Sequence, residues 1–178
     1  MVGRPAVTRA SLRGVQRILV PVPMPLLPDR AWSHAEWQQI KLGYEAQDMD
    51  EKWSVFVEDS VAYLHRSWTG HGIFEASFCQ TDNGWIISAA LVESDPARYR
   101  HSSDEYDRTM LEAVLSRIVL GEAAAELRSQ IVALTPRNTE DAAEVPAGAL
   151  LHSALGLRTE PDDGRPAKQP TTRGELPE

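Results

Sequence analysis

The sequence predicts an α+β domain in which a four-stranded antiparallel β-meander is covered on one face by helices. Four strand-like segments follow one another between residues 53 and 93, and connections this short join antiparallel neighbours. Helical periodicity precedes this block over 33–44 and follows it over 102–134. The change of period falls in a loop at Pro96.

The first helix is predicted to begin at Ser33. Ser33 and Glu36 have the spacing of a capping box, and an apolar face follows at helical spacing, formed by Trp37, Ile40 and Tyr44. Gly43 weakens the last turn, so the helix is expected to end near 43–46.

The segment KWSVFVEDSVAYLHR, residues 52–66, predicts a β-hairpin with Asp59-Ser60 as its two-residue turn. In this register one face carries the core pairs Val55 with Leu64 and Val57 with Ala62. The other face carries Phe56 with Tyr63 and Ser54 with His65. Arg66 then shares the core face with Trp53, at the end of the sheet.

Two further strands complete the predicted meander. GIFEASFC (72–79) is the third strand, and WIISAALVE (85–93) is the fourth. TDNG (81–84) predicts the turn between them, with Asn83-Gly84 supplying positive φ angles. The fourth strand is apolar on both faces, so we expect it to be covered on both.

The helices that follow are predicted from their apolar stripes and end signals. Ser102 and Glu105 have the spacing of a second capping box. A broad stripe follows and Gly121 ends it; the stripe consists of Met110, Leu111, Val114, Leu115 and Ile118. A weaker helix is predicted over 122–134, ended by Thr135-Pro136, and a further helical piece over 147–156.

The chain divides into four parts by composition. Residues 1–29 are basic and interrupted by prolines, which predicts a disordered leader, and Met24 is an alternative start. Residues 30–135 form the single α+β domain, and 136–157 form a weakly helical extension. Residues 158–178 are rich in proline, glycine and charge, which predicts a disordered tail.

Charge and cysteine content narrow the class of protein. The chain has 178 residues, a net charge of −8 and one cysteine. An acidic chain makes nucleic acid an unfavourable partner. A lone cysteine forms no intrachain disulfide, which fits the cytoplasm. No apolar run reaches the roughly 20 residues that span a bilayer, so no membrane contact is expected.

The segment LHRSWTGHG, residues 64–72, concentrates groups that bind or react. Gly70 and Gly72 flank His71, so the backbone amides there can receive an anion. Arg66 can clamp a phosphate or carboxylate, and His65 or His71 can act as acid or base near neutral pH. The alternative is a turn between two strands, since the spacing matches no phosphate-loop or dinucleotide motif.

An acidic connector, QDMDEKW (47–53), approaches the same end of the hairpin. It carries Asp48, Asp50 and Glu51, which can orient a histidine or hold a metal. The alternative is a solvated connector with one acid paired to Arg66. Because the histidines lack zinc-ligand spacing and oxygen ligands are too few for a divalent ion, no metal and no cofactor are expected.

Five tryptophans are many for a domain of this size. Trp37, Trp53 and Trp85 have core spacing, whereas Trp32 and Trp68 do not and mark either a contact surface or the ends of the core. The candidate ligand-binding residues are therefore His65, Arg66, Ser67, Trp68, Thr69, His71 and Asp50.

Three stretches resemble a small, uncharacterised bacterial family: MDEKW (49–53), HRSWTGHGIF (65–74) and MLEAVLSRIVLG (110–121). The resemblance covers residues 45–121 and is most particular at Trp-Thr-Gly. It implies that 45–121 is the structural unit, and it brings no catalytic residue.

These observations favour a non-catalytic cytosolic binding module that presents the 65–72 loop to a protein or a small anionic ligand. One alternative is a hydrolase or transferase acting on a phosphate-containing substrate, of the nucleotide or ADP-ribose type. Another is an immunity or regulatory partner protein. Whether the chain is an enzyme stays open at this point, because no complete catalytic constellation is present.

Overall fold

The computed structural model describes residues 3–136 and 145–159. In chain order the elements are β1 (Pro21–Pro23), α1 (His34–Leu42), β2 (Trp53–Glu58), β3 (Val61–Arg66), β4 (Gly72–Thr81), β5 (Gly84–Glu93), α2 (Asp104–Ala113), α3 (Ala125–Leu134) and α4 (Ala147–Ala154). A π-helical segment, Val114–Val119, continues α2 directly. This is an α+β protein, as the sequence predicts.

One open antiparallel sheet contains all five strands, in the order β1-β5-β4-β3-β2. Strands β2 to β5 form the predicted meander. The prediction of four strands missed β1, which pairs with β5 at the edge of the sheet. Pro21 and Pro23 in β1 lack an N–H, and an edge strand tolerates this because one side of its ladder has no partner.

The register of the β2–β3 hairpin is the predicted one. Val55 pairs with Leu64, Phe56 with Tyr63 and Trp53 with Arg66. Asp59 has φ 53°, the positive value that tight two-residue turns require. Strand alternation therefore places Arg66 on the face of Trp53 and His65 on the opposite face.

Two local details differ from prediction. The β4–β5 turn is Asp82-Asn83, because Thr81 pairs with Gly84, and the positive φ falls at Gly84 and not at Asn83. The cap of α2 is Ser103, not Ser102, since the Ser103 hydroxyl accepts from the Tyr106 N–H at 3.1 Å. The predicted capping box of α1 is confirmed, with Ser33 and Glu36 bonded in both directions.

The helices cover one face of the sheet and enclose the main core. The fully buried large side chains of this core include Trp32, Trp37, Trp53, Phe74, Leu64, Met110, Leu111 and Leu115. The alternative role of Trp32 as a contact surface is therefore wrong. Its backbone pairs with that of Trp85, and its ring packs edge-on against Phe78 at 5.4 Å.

The N-terminal segment, residues 3–20, covers the opposite face of the sheet. The sequence predicts this leader to be disordered, but Val7 and Leu12 pack with Phe56 in a second buried cluster. Arg9 lies over the Phe56 ring and pairs with Glu58 at 2.8 Å. Order arises because β2 and β3 present an apolar face that helices do not cover, and Val7 and Leu12 of the N-terminal segment bury it.

Gly70 allows the N-terminal segment to reach the sheet. The Gln16 N–H donates to the Gly70 carbonyl at 2.7 Å, and the Gly72 N–H donates to the Gln16 carbonyl at 2.9 Å. Gly70 has φ +71°, and a Cβ placed there would lie 2.0 Å from the Gly14 carbonyl oxygen. A glycine here therefore serves close approach of two backbones.

Gly70→Ala is expected to destabilise the protein considerably more than Gly14→Ala. Both residues adopt the same left-handed conformation, with φ +71° and +68°, but nothing lies within 4 Å of a Cβ at Gly14. The left-handed strain of about 1–2 kcal/mol is common to both, and overpacking adds about 1–3 kcal/mol at Gly70 alone. Urea unfolding of the two variants measures the difference, and equal stabilities would contradict the close approach.

The C-terminal part of the described chain returns to the sheet through α4. The Leu157 N–H donates to the Asp50 carbonyl at 2.9 Å, and Glu51 forms an isolated β-bridge with Gly156. Residues 137–144 of the predicted helical extension and 160–178 of the predicted disordered tail lie outside the described residues.

Candidate functional site

A basic groove lies between the turn after β3 and the end of α4. Its volume is about 590 Å³, and its lining consists of Lys52, Arg66, Trp68, Thr69, Arg98, His152 and Ser153. Three of these residues, Lys52, Arg66 and Arg98, are basic, and none of the seven carries a carboxylate. Such a lining is unusual for a chain with a net charge of −8, and it favours negative charge in the groove.

Arg66 is the cation held most firmly in this groove. Its guanidinium lies 4.4 Å from the Trp53 ring centroid, and Nη1 donates to the Ala154 carbonyl at 2.9 Å. In the described chain no carboxylate pairs with it. Burial lowers the pKa of Arg66, but an arginine side chain remains charged in proteins. The residue therefore keeps donors available for an anion.

The partner of Arg66 is the end of a helix. Ala154 is the last residue of α4, and its carbonyl also accepts from Trp53 Nε1 at 3.0 Å. Helix carbonyls at the C-terminus carry partial negative charge, which compensates a cation weakly compared with a carboxylate. Among the described residues the charge of Arg66 is therefore compensated without a carboxylate.

Trp68 presents an aromatic surface at the mouth of the groove. The residue is 62% exposed, yet its Nε1 donates to the Met49 carbonyl at 3.1 Å. Lys52 donates to the same carbonyl at 2.7 Å and lies 5.5 Å from the Trp68 ring centroid. The indole is thus held by its edge while much of it is open to a ligand.

The far wall brings together residues remote in sequence. Arg98 donates to the Arg17 carbonyl and to Gln16 Oε1, both at 3.2 Å. His152 Nε2 lies 3.4 Å from Asp50 Oδ1. Arg98, His152 and Lys52 were not predicted, since only the fold brings the loop before α2, the end of α4 and the start of β2 to one place.

The predicted site residues separate into two groups. Arg66, Trp68 and Thr69 line the groove, and Asp50 reaches its edge through His152. Ser67 instead donates to the Glu51 carbonyl at 2.6 Å and ties the turn to the acidic connector.

The prediction that the loop amides bind an anion is not supported. The N–H groups of Ser67, Gly70 and Gly72 donate to carbonyls, and that of His71 donates to Thr69 Oγ1 at 3.2 Å. The backbone amides of Gly70, His71 and Gly72 are therefore already hydrogen-bonded within the chain.

The two predicted acid–base histidines lie away from the groove lining. His65 is 3% exposed and stacks on Phe56 with ring centroids 5.3 Å apart. Burial lowers the pKa of His65 to about 4, so the ring is neutral at pH 7. His71 forms an isolated bridge with Gln16, and in the described chain nothing joins it to Asp50.

The acidic connector contains a buried carboxylate where the sequence suggested a solvated acid or an ion pair with Arg66. Glu51 is 1% exposed and accepts from the Tyr44 hydroxyl and from the Gln47 and Thr159 N–H groups. Burial opposes its ionisation, but these hydrogen bonds outweigh burial and lower the pKa of Glu51. Glu51 fastens the chain after α4 to the sheet, which positions the far wall of the groove.

A second polar network was missed in the sequence analysis. Asp107 is 1% exposed and accepts from the Tyr99 hydroxyl at 2.7 Å, while His101 Nδ1 lies 2.6 Å from its other oxygen. Burial raises the pKa of Asp107. The helical spacing could have predicted that Asp107 is buried. Asp107 precedes Met110 and Leu111 by three and four residues and so shares their buried face.

The fold and site define the class: an α+β protein with an open five-stranded antiparallel sheet and a basic, aromatic groove at its end. No family model, curated protein or solved structure matches the chain. Within residues 3–136 and 145–159, no group of three or more His, Cys, Asp or Glu side chains is placed to hold a metal ion. Over the same ranges, no helix is both long enough and apolar enough to cross a membrane.

Proposed function

We propose that this protein is a non-catalytic binding module for a small anionic ligand, which it holds in the groove between the β3 turn and α4. The observation that carries the proposal is a lining with three basic side chains and no carboxylate, in a chain of net charge −8. Arg66 is central, since among the described residues its charge is met by a helix carbonyl and the Trp53 ring and by no carboxylate.

The arrangement favours a ligand with two parts. Arg66, Lys52 and Arg98 suit a phosphate or carboxylate, which accepts charge-assisted hydrogen bonds from several donors. Trp68 suits a planar ring, because its exposed indole can stack. A phosphate joined to a heterocycle, as in a nucleotide or an ADP-ribose-type compound, satisfies both parts of the groove.

Binding without turnover agrees with the positions of the histidines. The two histidines that the sequence offered as acid or base, His65 and His71, do not line the groove. His152 does line it, but Asp50 is 3.4 Å from its Nε2 and both side chains are substantially exposed. A turnover assay with the same probes separates binding from the hydrolase or transferase alternative.

The proposal predicts ordered affinities for AMP, ADP-ribose, adenosine and inorganic phosphate. AMP and ADP-ribose are expected to bind at least tenfold more tightly than adenosine or phosphate, since only they use both the cations and the indole. Trp68→Ala and Arg98→Gln are each expected to weaken AMP binding about tenfold, the equivalent of 1.4 kcal/mol. Isothermal titration calorimetry measures all of these constants.

Arg128→Gln is the matched control, because Arg128 is an exposed arginine on α3 outside the groove. Its affinity for AMP is expected to equal that of the unaltered protein. The proposal would be overturned if none of the four probes bound at 1 mM. It would also be overturned if Arg98→Gln and Arg128→Gln lost the same amount of affinity for AMP. Conversion of AMP or ADP-ribose during the titration would replace it with the enzymatic alternative.

A further inference from the structure

A second, polar cavity lies on the opposite face of the sheet, beneath the N-terminal segment. Its volume is about 210 Å³, and its polar lining consists of Ser11, Arg13, Glu45, Ser54, His65, Arg66 and Ser67. It forms where residues 11–15 cross the ends of β2 and β3. Arg66 lines both the cavity and the groove, but its guanidinium lies on the groove side.

His65 supplies a buried polar atom without a partner. The residue is 3% exposed, and no hydrogen bond reaches its Nδ1. Buried polar atoms are nearly always satisfied, and leaving one unpaired costs about 1–3 kcal/mol. The imidazole is neutral, since burial lowers its pKa to about 4. In the tautomer protonated at Nε2, Nδ1 accepts a hydrogen bond.

Ser54 supplies a buried hydroxyl with a proton to donate. The residue is 7% exposed, and its oxygen accepts from the Ala46 N–H at 3.1 Å. Among the described residues no acceptor receives its O–H. The other two hydroxyls are occupied, because Ser11 donates to the Thr8 carbonyl at 2.9 Å and Ser67 to the Glu51 carbonyl at 2.6 Å.

The Arg66 guanidinium lies against the Trp53 ring and donates to the Ala154 carbonyl, on the other face of the sheet. Apart from Arg66, the cavity lining carries one charge of each sign. Arg13 and Glu45 both line it, and in the described chain neither takes part in an ion pair. A cation, an anion, a neutral imidazole acceptor and a hydroxyl donor together match a molecule that carries both charges itself.

We propose that this cavity binds a small zwitterion, with a free α-amino acid as the ligand class. The ligand carboxylate pairs with Arg13 and accepts from the Ser54 hydroxyl. The ligand ammonium pairs with Glu45 and donates to His65 Nδ1. The side chain of the ligand points to the open mouth of the cavity, so small residues such as alanine and serine fit.

Calorimetry of the full chain with L-alanine tests this. L-alanine is expected to bind at least tenfold more tightly than L-alanine methyl ester or propionate, which lack one charge each. Arg13→Gln and Glu45→Gln are each expected to weaken L-alanine binding at least tenfold. Lys52→Gln, in the groove on the other face, is expected to leave it unchanged.

A nitrogen-detected NMR measurement tests whether the ligand lies next to His65, and it needs no substitution of His65. Saturation with L-alanine is expected to shift the His65 Nδ1 resonance and to leave that of exposed His34 in place. No heat with L-alanine or L-serine up to 10 mM would overturn the proposal. So would equal affinity for L-alanine, its methyl ester and propionate, or binding that leaves His65 Nδ1 unmoved.

Discussion

A chain that begins at Met24 is expected to be close to unfolded at 25 °C. Such a chain lacks Val7 and Leu12, whose side chains cover the fully buried Phe56 on the face that no helix reaches. Burying one such aliphatic side chain contributes about 1.5–3 kcal/mol, and uncovering Phe56 adds a comparable loss. The sum over Val7, Leu12 and Phe56, about 5–9 kcal/mol, is comparable with the entire stability of an ordinary small domain.

Deletion of residues 1–23 also removes hydrogen bonds from a buried carboxylate. Glu93 is fully buried and accepts from the N–H groups of Leu19 and Val20, at 2.6 and 3.0 Å. These bonds help to lower the pKa of Glu93 against the opposing effect of burial. Without them the carboxylate faces an exposed edge of β5 with only the Asp95 N–H remaining as its donor.

Urea unfolding followed by tryptophan fluorescence measures the effect. The control is a chain without residues 1–5, which keeps Val7 and is expected to match the full chain. A chain of residues 24–178 with the midpoint of the full chain would contradict the role assigned to the N-terminal segment as a cover of the sheet.

The parts of the fold that were predicted correctly are determined by local sequence. Alternation in 53–58 and 61–66 leaves one register that keeps Val55 and Leu64 together on a buried face, and a slip of one residue would expose both. Ser33 and Glu36 likewise need only each other and the first turn of a helix. Signals of this kind depend on neighbours a few residues away, so a single sequence carries them.

The N-terminal segment was mispredicted because its order depends on a distant surface. Five prolines in 1–29, four of them between residues 21 and 28, are typical of a segment that cannot fold alone. Phe56 and Tyr63 provide the missing surface, and Pro21 and Pro23 are compatible with an edge strand. The composition of a segment indicates how much surface it can bury by itself. It does not indicate which apolar surface another part of the chain exposes for it to cover.

The sequence predicted those groove residues that lie next to one another in the chain. Arg66, Trp68 and Thr69 follow directly from the turn after β3, whereas Arg98 and His152 arrive through the loop before α2 and through α4. His65 and His71 were predicted for the same site, but strand alternation carries His65 to the other face of the sheet. Proximity in sequence thus placed together residues that the pleat of a strand separates.

His65 is expected to make the protein less stable as the pH falls from about 6.5 to about 4. Burial, aided by the positive charge of Arg9, lowers the pKa of His65 to about 4, while the carbonyls of Tyr63 and Gln16 oppose the shift. In the unfolded chain the pKa is near 6.5. Protons therefore bind preferentially to the unfolded state in this range, which costs about 3 kcal/mol by pH 4, at 1.36 kcal/mol per unit.

Other buried acids change the stability in different directions as the pH falls. The contribution of His65 is therefore measured by comparison with a variant that lacks the imidazole. The lowered pKa of Glu51 adds a loss of stability below about pH 4.5, whereas the raised pKa of Asp107 gives a gain on acidification. His65→Phe keeps a ring against Phe56 and removes only the imidazole. Its free energy of unfolding is expected to fall by about 3 kcal/mol less than that of the unaltered protein between pH 7 and pH 4.

Urea unfolding across this pH range measures both curves, and His34→Gln is the control because His34 is exposed. The control is expected to follow the unaltered protein at every pH. Parallel curves for the unaltered protein and His65→Phe, or an NMR titration midpoint for His65 near 6.5, would show that the ring is solvated. In that case the N-terminal segment would not close over the end of the hairpin, and neither the neutral imidazole nor the cavity it lines would exist in solution.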